Sequence, residues 1–390
     1  MYGFGIPGFA PFAGAVIPLH YVSCADRLIN FDAIRRTETT GPLAQDAFLK
    51  PRQYLHLFIG FTLGNLLAVP AFSADAASVV STTGTTRAVT RIDAMPAVEW
   101  PELKYSREPH LHAALSDKLK QIGLARAAAD EKLAVALVDI TDPANPRVAT
   151  VNAHQMMYAA SLPKIAILLG AFQKAADGEL EMNGENLDYL TAMIRRSSNP
   201  AASIMLKRVG FDYLAEVLQS ERYALYDPEM NGGLWVGKAY AKAGAWKRDP
   251  LYNLSHAATV FEVARFYYLL ETDRLVSPEA SAQMRAILEG STIKHKFVLG
   301  LETARPGSKI LRKSGSWRTF HADSAIVERD GRRYIAVAMA NHPSGGRWLS
   351  QVIVAMDDLI YDQANIDHDH MAESHAEPVG LPQNRAASAF

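Results

Sequence analysis

Cysteine is all but missing from this chain of 390 residues. Cys24 stands alone, so no internal disulfide can form and no cysteine-based metal site is available. An excess of one charge is missing as well. The 40 Lys and Arg residues against 41 Asp and Glu leave a formal net charge of −1. With no long run of one sign, the chain lacks the basic patch that marks most nucleic-acid binders. Internal repeats and sustained heptads are absent, which argues against a solenoid or a coiled coil. What is present is ample apolar content, 49% of residues, enough for one large domain or two.

The N-terminal quarter reads as an address rather than a fold. Lys50 and Arg52 precede an apolar run from Leu55 to Ala71, closed by the small residues Ala71, Ser73, Ala74 and Ala76. That is the layout of a secretory signal peptide, placed at 49–74, and it predicts a periplasmic or secreted protein. Gly60, Gly64, Asn65 and Pro70 interrupt the run, which counts against a stable membrane anchor. Because no methionine lies between Met1 and Met95, translation is expected to start near Leu49 from a non-standard start codon, with residues 1–48 outside the natural product or disordered. Residues 75–111, rich in Ala, Ser and Thr at their start, are expected to form a flexible linker. Residues 363–390 are expected to be a disordered tail, with His368, His370 and His375 solvated rather than holding a metal.

Between these ends the periodicities alternate. Helical spacing over 112–128 is followed by strands at 133–140 and 147–152, joined by the turn residues Thr141 to Pro146. Helices are predicted over 161–175, 184–196, 200–209, 211–219, 255–271 and 278–288. Strands return at 308–316, 323–328 and 332–340, the last two joined at Asp330-Gly331, a strong hairpin signal. Leu349, Val352, Ile353, Met356 and Leu359 then mark a closing amphipathic helix. The expected fold is α+β: an antiparallel sheet flanked by N- and C-terminal helices, over 112–362, with an inserted all-helical subdomain at about 155–290. A cleft is expected where the two parts meet.

The stretch Tyr158 to Gly170 carries the chemistry. After Pro163 it is apolar on every side, the mark of a helix buried all round. Pro163 suits a first helical turn, which sets Ser161 at the helix mouth among free N–H groups, with Lys164 three residues on. A hydroxyl, an amine to take its proton and N–H donors for an oxyanion make an acyl-transfer nucleophile. Alone the S-x-x-K pattern means little, since roughly one or two matches arise by accident in a chain this long. Ser291-Thr292-Ile293-Lys294 is a second match. Only the first is followed by Ser197-Ser198-Asn199 and then Lys313-Ser314-Gly315. Taken singly, those two motifs would be an ordinary helix cap and an ordinary strand end.

In this order the three motifs resemble those of the penicillin-recognising serine hydrolases, which comprise class A β-lactamases, penicillin-binding proteins and their relatives. The resemblance spans about 112–362. Asp227-Pro228-Glu229-Met230-Asn231 adds to it, resembling the omega-loop piece E-P-E-L-N of the class A enzymes. The resemblance implies that Ser161 is acylated, Lys164 is its base or proton relay, and Ser197 passes a proton to the leaving nitrogen. Asn199 would hold the substrate amide and Lys164, while Lys313 and Ser314 would face the substrate carboxylate. Gly315 would leave the strand edge bare, and the N–H groups of Ser161 and Ser316 would form the oxyanion hole. Asp227 would take the place of the deacylating glutamate, one methylene shorter, with Glu229 as its substitute in another register and Asn231 beside them on the substrate. Arg318 and His321 are further candidates for binding a carboxylate. Trp235, Tyr240 and Trp246 are expected first to pack a loop and second to form a wall of the cleft.

Two departures stand out. Ser198 replaces the usual Asp, and the interval from Ser161 to Ser197 is much shorter than in class A enzymes. The resemblance implies an exported serine hydrolase of β-lactams, with no cofactor and no metal, acting as a monomer on a β-lactam or an acyl-D-Ala-D-Ala peptide. Its rivals are a D-alanyl-D-alanine carboxypeptidase or penicillin-binding protein that releases β-lactams slowly, an esterase, and a non-catalytic cell-wall binding protein.

Overall fold

A computed structural model of the chain describes residues 99–374, with side chains as far as 362. The expectations for residues 1–48, for the signal peptide at 49–74, for residues 75–98 and for residues 375–390 lie outside the described residues. Two helices lead in, α1 (Pro109–Gln121) and α2 (Ala125–Ala129), followed by strands β1 (Leu133–Asp139), β2 (Arg147–Val151) and β3 (Met157–Tyr158). Helices α3 (Lys164–Ala176), α4 (Gly184–Arg195), α5 (Asn199–Val209) and α6 (Phe211–Gln219) come next. Four short strands follow: β4 (Tyr226–Asp227), β5 (Gly232–Gly233), β6 (Trp235–Val236) and β7 (His256–Ala258). Helices α7 (Val260–Glu271), α8 (Pro278–Leu288) and α9 (Phe297–Ala304) lead to strands β8 (Lys309–Trp317), β9 (Phe320–Arg329) and β10 (Arg332–Asn341). Helix α10 (Gly345–Ser374) closes the order.

The main sheet runs β2-β1-β10-β9-β8, antiparallel throughout. Its strands divide two cores by simple alternation, because successive side chains point to opposite faces. Leu133, Val135 and Leu137 join α1, α9 and α10 on one face, while Ala134, Ala136 and Val138 join the helical insertion on the other. Strand β10 splits the same way, Tyr334, Ala336 and Ala338 against Ile335, Val337 and Met339. A sheet covered on both faces explains why β1 is apolar from Leu133 to Val138 rather than alternating. Asp330 and Gly331, at φ 47° and 75°, make the tight β9–β10 turn that their sequence predicts.

Several boundaries differ from expectation. The segment expected as linker is already structured after residue 99: Leu103 and Leu111 are buried, and Arg107 pairs with Val148. Helix α1 begins at Pro109 because the Glu108 carboxylate caps it, accepting from the N–H groups of His110 and Leu111. The insertion is not helical throughout, since β3, β7 and β6 form a small sheet, and β4 and β5 another. Residues 256–258, expected in a helix, form β7, and α7 starts only after Thr259, whose hydroxyl accepts from Glu262 N at 3.2 Å. The expected tail is helical backbone as far as Ser374.

Candidate active site

Ser161 sits in a tight turn between β3 and α3. Ala159 N donates to His256 O at 2.9 Å, tying the turn to β7. Ala160 then adopts φ 51°, an unusual conformation for a residue with a side chain. Leu162 N to Ala159 O, Lys164 N to Ser161 O and Ile165 N to Leu162 O, at 3.0, 3.3 and 3.2 Å, wind the chain into the helix. Pro163 caps α3 rather than lying in its first turn, a shift of one position. No backbone acceptor pairs with the Ser161 N–H among the described residues, which leaves it available to an oxyanion. Residues Lys164 to Phe172 are buried all round, so the helix and the turn before it are held by packing on every side.

Lys164 is 0% exposed. Its Nζ donates to Ser197 O and to Asn199 Oδ1, each at 2.7 Å, and lies 3.4 Å from Ser197 Oγ. The Tyr240 ring covers it, with the centroid 4.5 Å from Nζ. Burial lowers its pKa to about 7. In the neutral form the amine has two hydrogens, which those two oxygens accept, and its lone pair is left for a hydroxyl proton. Ser197 is held at φ 53° at the start of α5, where Ser198 caps the helix through Ala201 N at 3.3 Å. A non-glycine residue in that region is strained, and such strain gathers at functional sites.

From the other side comes Lys313 on β8, 1% exposed, donating to Ser197 Oγ at 3.0 Å and to Ser314 O at 2.6 Å. Burial drives its pKa well down, and the nearby cations Lys164 and Arg312 push in the same direction. The Ser197 hydroxyl therefore bridges two buried amines. Gly315 brings the strand against the serine turn: a methyl there would stand 2.2 Å from Ala159 O and 2.8 Å from the N atoms of Ser161 and Leu162. Ser314 is buried beside Lys313, and Ser316 is exposed at the strand end.

A cleft of about 460 Å³ opens over this cluster, lined by Ser161, Asn199 and Ser316. The segment Lys238 to Lys242 lines it as well, together with His256 and Tyr158. The His256 ring packs on Tyr240 at 4.3 Å, and its Nε2 meets Lys238 O at 3.0 Å. Burial lowers the His256 pKa to about 4, so the ring is neutral and Nε2 is the donor.

Not every expected residue comes to this place. Asp227 lies on the β4–β5 hairpin, where its carboxylate accepts from Glu229 N at 2.9 Å and caps a single 3-10 turn, Pro228–Met230. Glu229 is exposed. Asn231 takes a left-handed φ of 64° and donates to His154 O at 2.7 Å, with Tyr252 OH donating to its Oδ1. None of the three lines the cleft, and no carboxylate is among the described partners of Lys164. The reason is local: the hairpin uses Asp227 as its own cap, so this short motif is spent on a turn. Arg318, at the exposed tip of the β8–β9 turn, rests 5.8 Å from the Trp317 ring. His321 lines a different cavity of about 400 Å³, behind β8. Ser291 and Lys294, the second S-x-x-K, open no helix: Lys294 pairs with Glu302.

Tyr240 belongs to the cleft wall as well as to loop packing, since its hydroxyl donates to Ala160 O at 3.3 Å. Trp235 is buried beneath the loop, and Trp246 stacks on Phe211 at 5.2 Å. Sequence reasoning missed Lys296. This residue is 3% exposed and donates to Gly315 O, to Ser316 Oγ at 2.8 Å and to Ala322 O at 3.0 Å, pinning the end of β8 from behind. Burial lowers its pKa to about 8. Its position 17 residues before Lys313 carries no local signal.

Known proteins share the family and the fold. A model of the Beta-lactamase enzyme family matches residues 114–189 and 184–364. Among solved structures, the TLA-3 extended-spectrum β-lactamase is 13% identical, covering 65% of this chain and 99% of its own at a TM-score of 0.52. A β-lactamase from Chitinophaga pinensis is 15% identical over 64% of this chain and 99% of its own, at 0.51. A PBP-A mutant solved as an acyl-enzyme complex with penicillin G is 16% identical over 66% and 98%, at 0.50. At these identities the structures show a shared fold. Curated proteins yield no significant match.

Proposed function

The chain belongs to the β-lactamase enzyme family, and on that premise we propose that it forms an acyl-enzyme on Ser161 and hydrolyses the β-lactam amide. One observation carries the reading: the Ser197 hydroxyl stands between two buried amines, 3.4 Å from Lys164 Nζ and 3.0 Å from Lys313 Nζ. The Ser161 hydroxyl attacks the carbonyl carbon and gives its proton to the neutral Lys164 amine. The oxyanion is received by the free Ser161 N–H, with Ser316 N–H as the second donor of the pair. As the carbon–nitrogen bond breaks, Ser197 gives its proton to the leaving nitrogen and is reprotonated from Lys164. The substrate carboxylate faces Lys313, whose proton it helps to retain. Water then cleaves the ester, returning the proton to Ser161.

A second reading is favoured by one observation, the absence of a carboxylate among the described partners of Lys164. Without such a base to hold the hydrolytic water, ester release is slow, as in a penicillin-binding protein or D-alanyl-D-alanine carboxypeptidase. A chromogenic cephalosporin decides between them: many turnovers per protein support a lactamase, and one stoichiometric burst supports slow release. Intact mass must show the adduct in either case. A protein that gains no mass with any penicillin, and loses nothing by Ser161→Ala, would leave a non-catalytic binding protein. Export belongs to the same reading, supported by Lys50 and Arg52 before the apolar run from Leu55 to Ala71. N-terminal sequencing of the mature protein tests it.

A further inference from the structure

Beside Ser161, the cleft is lined by a loop rich in lysine whose side chains find no acidic partner among the described residues. Residues 237–255 connect β6 to β7, and the loop is built firmly. Gly237 N donates to Ser255 O at 2.8 Å, Trp235 Nε1 donates to Lys247 O at 3.0 Å, and Trp246 stacks on Phe211. The one acid of the loop, Asp249, is turned inward. It is 3% exposed, and its oxygens accept from the N–H groups of Leu251, Tyr252 and Leu254. Arg248 donates to Asn253 O at 3.2 Å, and Lys247 lies 5.8 Å from the Trp246 ring. Lys238 and Lys242 remain. Both line the cleft, and neither side chain has a hydrogen bond or ion pair among the described residues. Among the described residues, no aspartate or glutamate lines the cleft.

The field at the neighbouring imidazole agrees. After the larger effect of burial, the Lys238 and Arg248 cations lower the His256 pKa further. Low-dielectric walls lined by one sign focus the potential into the cleft and raise the local concentration of oppositely charged groups. Lys164 and Lys313 are buried and already committed to Ser197, so they do not meet this need.

We propose that Lys238 and Lys242 form a subsite for a second anionic group on the substrate, distinct from the carboxylate that faces Lys313. The substrate class is then an acyl amide or lactam that carries a carboxylate on its acyl side chain. This rests on the acyl-enzyme reading of Ser161, and the test separates the two.

Benzylpenicillin and its α-carboxy derivative differ by that one group. Their second-order acylation rates, followed by intact mass, are to be compared as a ratio in full-length protein. The carboxylated compound is expected to react about 10-fold faster at low ionic strength, with the ratio shrinking at high salt as screening sets in. In the double variant Lys238→Gln/Lys242→Gln the ratio is expected to fall to about 1, whatever happens to the absolute rates. A ratio at or below unity in the native protein, or one that survives the double substitution, overturns the subsite. Should neither compound acylate Ser161, the acyl-enzyme reading fails. The subsite is then judged by the same ratio of dissociation constants, and the same lysine dependence, in Ser161→Ala protein.

Discussion

Asn199 Oδ1 lies 2.7 Å from Lys164 Nζ and takes one of the amine's hydrogens without bringing a negative charge to it. An uncharged acceptor is what a base near neutrality needs, because an anion at that place would hold the proton on the lysine. Asn199→Asp is therefore expected to raise the pH midpoint of Ser161 acylation from about 7 by ~1–3 units. Acylation rates by mass spectrometry from pH 5 to 10 check it. An unmoved midpoint would remove Lys164 as the titrating base.

Burial of Lys164 also has a stability consequence. Its folded pKa is about 7, while an unfolded lysine titrates at ~10.4. Between these values the unfolded chain binds more protons, so folding gains stability as pH rises through that window; below the folded value the penalty is at its fullest. Lys164→Met abolishes the titration but leaves Ser197 O and Asn199 Oδ1 short of a donor, at about 1–3 kcal/mol each. The variant's melting temperature relative to the native protein is expected to be higher at pH 6.5 than at pH 9.5, and labelling by fluorescent penicillin is expected to vanish. Melts at both pH values check the sign; a difference independent of pH would mean the lysine is not held neutral.

Asp227→Asn should leave the acyl-enzyme half-life within about twofold of native, because an amide oxygen keeps the cap on Glu229 N and the residue is not in the cleft. Mass-resolved decay of the penicillin adduct measures it. A release rate slowed tenfold or more would return Asp227 to the mechanism.

At Gly315 the added methyl of an alanine meets backbone on the serine turn, 2.2 Å from Ala159 O. Backbone cannot swing aside as a flexible side chain does, so β8 or the turn must move. Gly315→Ala is expected to cost about 1–3 kcal/mol of stability and on the order of 100-fold in acylation, since a 1 Å misplacement suffices for that. Chemical denaturation and acylation kinetics read the two effects; near-native acylation would show that the strand does not position the site.

Lys296→Met leaves Gly315 O, Ser316 Oγ and Ala322 O without their shared donor. The expected result is a folded protein that acylates about 10-fold more slowly, through loss of oxyanion-strand geometry, with Lys164's pH midpoint unchanged. A shifted midpoint would mean that Lys296 acts on the base directly.

The legible part of this protein was its periodic part. The apolar stripe of α10, the strands of the main sheet and the cap before α5 act over a few residues, so their patterns predict their elements. The three motifs were legible because each pairs a reactive side chain with a local backbone feature: a helix mouth, a turn and a strand. Helix α9 was not legible, being eight residues long and preceded by Lys296 at φ 54°. The match at Asp227 to Asn231 does not line the cleft, for a related reason. A short acidic turn caps itself equally well at an active site and away from one.

By itself the sequence determined which groups could react and which elements would carry them, since hydroxyl, amine and periodicity are properties of single stretches. The tertiary structure decided which of them meet. It set Ser197 between Lys164 and Lys313, laid Tyr240 over Lys164, kept Asp227 on its hairpin and put Lys296 behind β8. Those outcomes depend on long-range packing, where burial brings the pKa of a lysine down to about 7.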